Sequence, residues 1–395
     1  MGCSMTNHLG PEHMPEQPAP ILRGINDRRM LALLLASVLA VVVHQALSHV
    51  DYNFAIFRQS FVHLAAGQDL YTSYPAEQVD RFKYSPTFAA LFAPFALLPV
   101  LVALALWNSL NVVLLWYAMR RLLPGPQGNL ALALMYLEML RTTQRAQSNA
   151  LVTALMVLAF VWMEERRQVA AALAIALGTS IKLFPVLAII PALFHPRRVR
   201  MSLIAASAGV IAMLVPLAAI TWHALLAQYA SWQALEAIDA GAGVSGGGAG
   251  LYGGVMHWVR VAFQSDWPNW QIQSGGFLLL AAPLARVDRW IAPAFRLRVL
   301  SSILVFSTIF NHQVESPSFV IAMTGVAIWF VTSKRRWPDV LLLSVVLLVV
   351  SLGSNDLMPN AFRDVVVRHK LKTLPCLAVW LVLQAELLGV RRCDD

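Results

Sequence analysis

The sequence predicts an all-α polytopic membrane protein, a bundle of about 10–12 transmembrane helices with a long first extracytoplasmic loop. Three observations carry that expectation. Hydrophobic residues make up 58% of the 395 residues and charged residues only 13%, about half the charged share of a soluble domain. Mean hydropathy is +0.62. Apolar runs of roughly span length recur along the chain with basic residues between them. So few charges cannot cover a water-facing surface. Soluble multidomain, disordered and disulfide-scaffold classes are excluded on the same ground.

The N-terminal residues 1–29 are polar and proline-rich, which reads as a cytoplasmic tail rather than a cleavable signal peptide. Residues 30–395 read as a single transmembrane domain. The clear runs are 30–48, 84–99, 100–119, 147–163, 201–220, 297–311, 317–332, 338–354 and 373–390, with a shorter one at 273–285. The stretch 168–194 is too long for one span. Glu164-Glu165-Arg166-Arg167 bounds it on one side and His195-Pro196-Arg197-Arg198 on the other. With both flanks on one face, it becomes a hairpin of two short helices with Gly178 to Lys182 near its tip. The run 130–140 is too short to place.

Lysine and arginine placement sets the orientation. With the N-terminus inside, the basic clusters at Arg28-Arg29, Arg166-Arg167, Arg197-Arg198, Arg286 to Arg298, Lys334 to Arg336 and Arg391-Arg392 all fall inside. Topology therefore accounts for the net charge of +9 better than a nucleic-acid partner does, and none is expected. Arg120-Arg121 leaves two threadings open. It falls outside if 84–119 is a helical hairpin, and inside if 84–99 is re-entrant and 130–144 crosses.

Two extracytoplasmic segments are too long to be turns. In 49–83, Phe54, Phe57, Phe61, Leu64 and Ala65 recur near helical spacing, which predicts a helix lying on the membrane surface. The segment 221–272 holds five tryptophans and the glycine-rich run 241–250, which suits a mobile loop.

Charges near membrane depth are costly and become site candidates for that reason. Asp51 comes just after the first span, where a carboxylate can take a proton from an acceptor hydroxyl; the position also fits a solvated loop aspartate. Lys182 sits at the hairpin turn, where an ammonium can bind an anionic head group or snorkel to the interface. His312 and Glu315 share a His-x-x-Glu spacing. That spacing suits a polar substrate with acid–base help, or a helix cap, and holds too few ligands for a metal. Arg58, Lys83, Tyr84, Gln147, Asn149 and Arg260 are further candidates for substrate or donor-phosphate contact. The cysteines Cys3, Cys376 and Cys393 have no metal-ligand spacing. No nucleotide-binding motif occurs.

Asp51, Phe57-Arg58, Ala66 to Tyr71 and Phe82-Lys83-Tyr84-Ser85-Pro86 come first in an ordered series. Ala146-Gln147-Ser148-Asn149, Ile181 to Pro185, and Asn311-His312 to Ser316-Pro317 complete it. In that order they resemble glycosyltransferase family 87, with Ala146 departing from the family's usual Gly-Gln. The resemblance implies a GT-C fold and a polyprenyl-phosphate sugar donor, typically mannose. It also implies an extracytoplasmic site between the first loop and the bundle. Asp51 matches the family's general base, and Lys182 and His312 match positions expected to face the site.

The chemistry agrees with that implication. The leaving group is a lipid phosphate, so no metal or other cofactor is required. Lys182, Arg58 or Arg260 can stabilise its charge, while Asp51 deprotonates the acceptor as attack inverts the anomeric carbon. The expected partners are the polyprenyl-phosphate donor, a glycolipid or envelope-glycan acceptor, and membrane lipids. The expected location is a bacterial inner membrane. A transporter or flippase of a lipid-linked sugar and a non-catalytic scaffold subunit are the competing readings.

Overall fold

The structure, a computed structural model, describes residues 26–48, 52–242, 253–355 and 357–390. Asp51, most of the glycine run 241–250 and nearly all of the N-terminal tail lie outside the described residues, as do Arg391 and Arg392. All regular structure among the described residues is helical. In chain order the helices are α1 (Asp27–Ser48), α2 (Tyr52–Ala65), α3 (Pro86–Leu91), α4 (Ala93–Ala96), α5 (Val100–Leu122), α6 (Pro126–Gln144), α7 (Asn149–Glu164) and α8 (Gln168–Ile181). A tight 3-10 arm, Phe184–Phe194, comes next. After it lie α9 (Arg198–Leu214), α10 (Trp222–Ala242), α11 (Val255–Phe263), α12 (Asn269–Ala281), α13 (Pro293–Ile309), α14 (Phe319–Val331), α15 (Trp337–Val346), α16 (Asn360–Arg368) and α17 (Thr373–Leu388).

The composition is carried as a membrane protein carries it. Among the described residues, three helices are individually long and apolar enough to cross a bilayer: Asp27–Ser48, Val100–Leu122 and Arg198–Ala218. The pair of α16 and α17, bent by 61°, counts as a fourth if its two parts form one broken span. The remaining apolar helices are short, so the expected ten to twelve spans are not ten to twelve full-length helices. Helices that are apolar on every side fill the centre. In α13 and α14 nearly every side chain is buried, and α7 has only its last turn and Trp162 partly open. Around them α1, α5, α8 and α9 turn branched apolar side chains outward, such as Leu39 at 65% and Ile211 at 66% exposure. That is the arrangement lipid rewards.

The run 84–99 is not a span. Ser85 Oγ accepts from Phe88 N at 3.2 Å, Pro86 opens the first turn, and Pro94 and Pro99 interrupt the chain before α5. Proline removes backbone donors and breaks helices, so two short helices form. The stretch around 130–140, too short to place by hydropathy, is the middle of α6. Its hydropathy is diluted by Asn129, Glu138, Thr142 and Thr143, all of which are buried.

Ion pairs mark one end of the bundle. Asp27 pairs with Arg120, Arg121 with Glu165, and Glu164 takes both Arg296 nitrogens at 2.7 and 2.8 Å. Arg298 Nε meets Glu386 at 3.0 Å, while its Nη1 and Nη2 donate to Thr332 and Ser333. The starts of α1 and α13 therefore meet the ends of α5, α7, α14 and α17. Arg120-Arg121 thus lies at the same end of the bundle as Asp27, which agrees with the threading in which 84–99 does not cross and 130–144 does.

The opposite end gathers the segments that build a site. Gln45 near the end of α1 donates to Gln144 O (2.8 Å), and Asn53 in α2 to Arg145 O (3.0 Å). The apolar face of α2 was expected in the membrane surface. Instead Phe54, Phe57 and Leu64 are buried in protein. Phe57 meets Tyr84, Phe88, Phe92 and Trp107 edge-on, with ring centroids 5.1–5.9 Å apart. Such pairs add to burial, which explains why the helix turns inward. Between α8 and the 3-10 arm, Lys182 is extended (φ −141°, ψ 148°), and the arm returns beside α7 and α8. A Cβ at Gly178 would meet Pro185 Cβ at 3.0 Å, so the return arm packs closely on the helix at this glycine.

Candidate active site

A cavity of about 780 Å³ opens at this end, within the size range of small-ligand sites. Six of the residues singled out in the sequence line it: Lys83, Tyr84, Gln147, Lys182, His312 and Glu315. They come from four separate segments, which the bundle brings together.

Tyr84 is the hinge of the arrangement. Its hydroxyl donates to Gln147 Oε1 at 3.2 Å, and its carbonyl accepts from Tyr71 OH at 2.9 Å. Lys182 Nζ stands 5.7 Å from the Tyr84 ring centroid, a cation–π distance. Lys182 lies in the connection between α8 and the return arm, outside both. Burial draws its ammonium down to about 8, against the pull of the Glu315 charge. Lys83 is different, since its ammonium is held by Asp80 at 3.0 Å.

His312 lies in the turn after α13. Asn311 Oδ1 accepts from Gln313 N (2.9 Å), Gln313 Nε2 donates to Asp239 (2.7 Å), and Gln273 Nε2 donates to Phe310 O (3.0 Å). These bonds fix the backbone and leave the imidazole Nε2 buried without a hydrogen-bond partner among the described residues. Burial holds His312 below the usual histidine range, with Asp239 opposing, so the ring is neutral near pH 7. Glu315 precedes the Ser316-Pro317 helical turn, but its side chain makes no cap bond. The residue lines the cavity instead. Behind this turn, buried Lys372 donates to Ser316 Oγ at 2.8 Å and sits 3.8 Å from the fully buried Glu138. The turn is thereby anchored to the bundle.

Three expected residues stand away from the cavity lining, and the two arginines among them are bonded elsewhere. Arg58 donates to Ala96 O (3.0 Å) and Leu98 O (3.2 Å), closing the end of α4. Arg260 donates to Trp267 O and Asn269, latching the turn between α11 and α12. Asn149 is buried in the first turn of α7. Conversely, Trp232, Glu236, Gln273 and Gln313 line the cavity without having been selected from sequence. Trp232 and Glu236 sit one turn apart on α10, a helix that hydropathy shows only as a long loop.

One flank is apolar. Leu183, Val186 and Leu187, in and just before the return arm, line the cavity together with Trp270, Phe277 and Leu278 of α12. Trp270 is 64% and Leu278 71% exposed, so the rim continues to the outer surface of the bundle. Cation, carboxylates and neutral imidazole thus lie beside a hydrophobic opening. That combination suits an anionic amphiphile.

None of the curated proteins compared matches the chain. The model of glycosyltransferase family 87 matches residues 82–354. The matched region includes Lys83, Tyr84, Gln147, Lys182, His312, Glu315 and α10, but neither Asp51 nor Arg58. Most of the cavity wall thus falls within the matched residues, which cover well over half of the chain, and the chain belongs to glycosyltransferase family 87: it is a membrane glycosyltransferase.

Proposed function

We propose that this protein transfers a hexose, mannose by its family resemblance, from a polyprenyl-phosphate donor to an acceptor hydroxyl, with inversion. The reaction takes place on the extracytoplasmic side of a bacterial inner membrane. One observation carries the reading: a single cavity combines Lys182, His312 and Glu315 with an apolar rim that reaches the outer surface of the bundle. A lipid-linked donor needs both parts, a polar chamber for the sugar phosphate and a lateral path for the tail.

In this reading Lys182 holds the donor phosphate and stabilises the charge that grows on it as the glycosidic C–O bond breaks. Tyr84 orients Lys182 through its ring face. Asp51 takes the acceptor proton; it lies outside the described residues, and Asn53, two residues on, lines the cavity. Neutral His312 offers its unpartnered Nε2 to a substrate hydroxyl. The basic, ion-paired end of the bundle then faces the cytoplasm, as the positive-inside rule requires.

The test is transfer of radiolabelled polyprenyl-phosphate mannose in membranes carrying the wild type or Asp51→Asn at matched levels. Label should reach an acceptor only with the wild type. Normal transfer by Asp51→Asn contradicts the base assignment. Donor binding without transfer by the wild type favours a carrier.

A further inference from the structure

The inner face of α10 takes no part in the donor chemistry. Gln228, Trp232, Glu236 and Asp239 succeed one another at helical intervals of three and four residues, which places them on one face. The outer two are anchors. Gln228 Nε2 donates to Gln68 O at 2.7 Å and its Oε1 accepts from Leu70 N at 3.1 Å, binding α10 to the loop after α2. Asp239 accepts from Gln313 Nε2 at 2.7 Å, binding α10 to the His312 turn. The inner two, Trp232 and Glu236, line the cavity between these anchors.

An indole beside a carboxylate on a concave wall is the chemistry that recognises a sugar. The aromatic face stacks on the C–H face of the ring, and the carboxylate accepts from its hydroxyls. A polypeptide hydroxyl offers no such flat C–H face, and an acyl chain offers no hydroxyls. At about 780 Å³ the cavity lies in the upper part of the ~300–1,000 Å³ range of small-ligand sites. It has room for an acceptor beside a donor sugar.

We propose that α10 carries the acceptor subsite: Trp232 stacks on a sugar ring of a saccharide-bearing acceptor, and Glu236 accepts hydrogen bonds from its hydroxyls. Lys182, on another element, serves the donor phosphate. The proposal rests on the glycosyl-transfer reading and assigns its acceptor sugar to named residues of α10. Anchoring α10 to both the loop after α2 and the His312 turn places the acceptor ring beside the segment that carries His312.

The test uses the full chain in lipid nanodiscs with two probes. One is a panel of methyl hexopyranosides (manno, gluco and galacto), monitored by saturation-transfer NMR; the other is undecaprenyl phosphate, monitored by titration. Trp232→Ala and the isosteric Glu236→Gln should each weaken hexoside binding about tenfold or more. Both should keep undecaprenyl-phosphate affinity within about twofold, and Trp232→Phe, which retains an aromatic face, should restore most hexoside binding. The proposal is overturned if the wild type binds no hexoside, or if neither substitution weakens binding. It is also overturned if undecaprenyl phosphate is lost in parallel in the isosteric variant. Failure of the donor reading appears separately, as undecaprenyl-phosphate affinity that is insensitive to Lys182→Ala.

Discussion

The two ends of this bundle treat charge in opposite ways. At the end marked by Asp27, arginines at helix termini find carboxylates: Arg120 with Asp27, Arg121 with Glu165, Arg296 with Glu164, Arg298 with Glu386. At the cavity end, pairs such as Lys83–Asp80 and Lys372–Glu138 stand around the chamber. Lys182 and Glu315, which face it, feel each other's charge without forming an ion pair. Charges at the first end join helices and set the threading. At the cavity, Lys83 and Asp80 satisfy each other, while Lys182 and Glu315 remain available to a substrate. The difference teaches that a membrane-depth charge is informative only once its partner is known.

The comparison breaks most visibly at Arg298. It is 8% exposed and paired with a 6% exposed carboxylate. Removing one partner of such a pair leaves a buried charge uncompensated, at about 3–5 kcal/mol. Arg298→Ala should therefore lower the thermal midpoint steeply in detergent, or abolish the monodisperse peak in size exclusion. A stable Arg298→Ala protein would mean that this pair does not hold the helix ends. At the cavity end, Gly276→Ala should cost about 1–3 kcal/mol and reduce transfer together with stability. A Cβ there runs into the Phe310 ring, and Phe310 lines the cavity while its carbonyl is held by Gln273. A thermal melt and a transfer assay on the same preparation would show whether the two losses coincide.

A pH titration sharpens the contrast further. Burial lowers the Lys182 ammonium to about 8, so its charge is present below that pH and lost as pH rises through it. Undecaprenyl-phosphate affinity should fall above about pH 8 in the wild type. In Lys182→Arg the fall should vanish, because a guanidinium stays protonated; an unchanged profile would remove Lys182 as its source. The smallest expected effect is at Arg121, whose pair with Glu165 is solvent-exposed. Exposed pairs contribute little, and Arg121→Ala should leave both melting and transfer unchanged.

Much of this was legible in the sequence, for reasons that can be named. The long apolar runs became α1, α5 and α9 because lipid-facing helices must be apolar along their length. Lys182, His312 and Glu315 stood out because charge in an apolar context is expensive, and all three line the cavity. α6 was obscured because its polar residues face the protein interior, where hydrogen bonds and ion pairs offset a cost that hydropathy counts in full. Arg58 and Arg260 donate to backbone carbonyls, and the sequence carries no signature of such acceptors. Trp232 and Glu236 are ordinary loop residues until α10 is seen to be pinned at Gln228 and Asp239.

The most direct test of the central claim is the undecaprenyl-phosphate affinity of Lys182→Ala, measured beside its thermal midpoint. If the cavity-facing cation serves a ligand rather than the fold, affinity drops about tenfold to a hundredfold and the midpoint holds. Unchanged affinity, or a midpoint that falls as it does for Arg298→Ala, would place Lys182 among the structural charges and contradict the account.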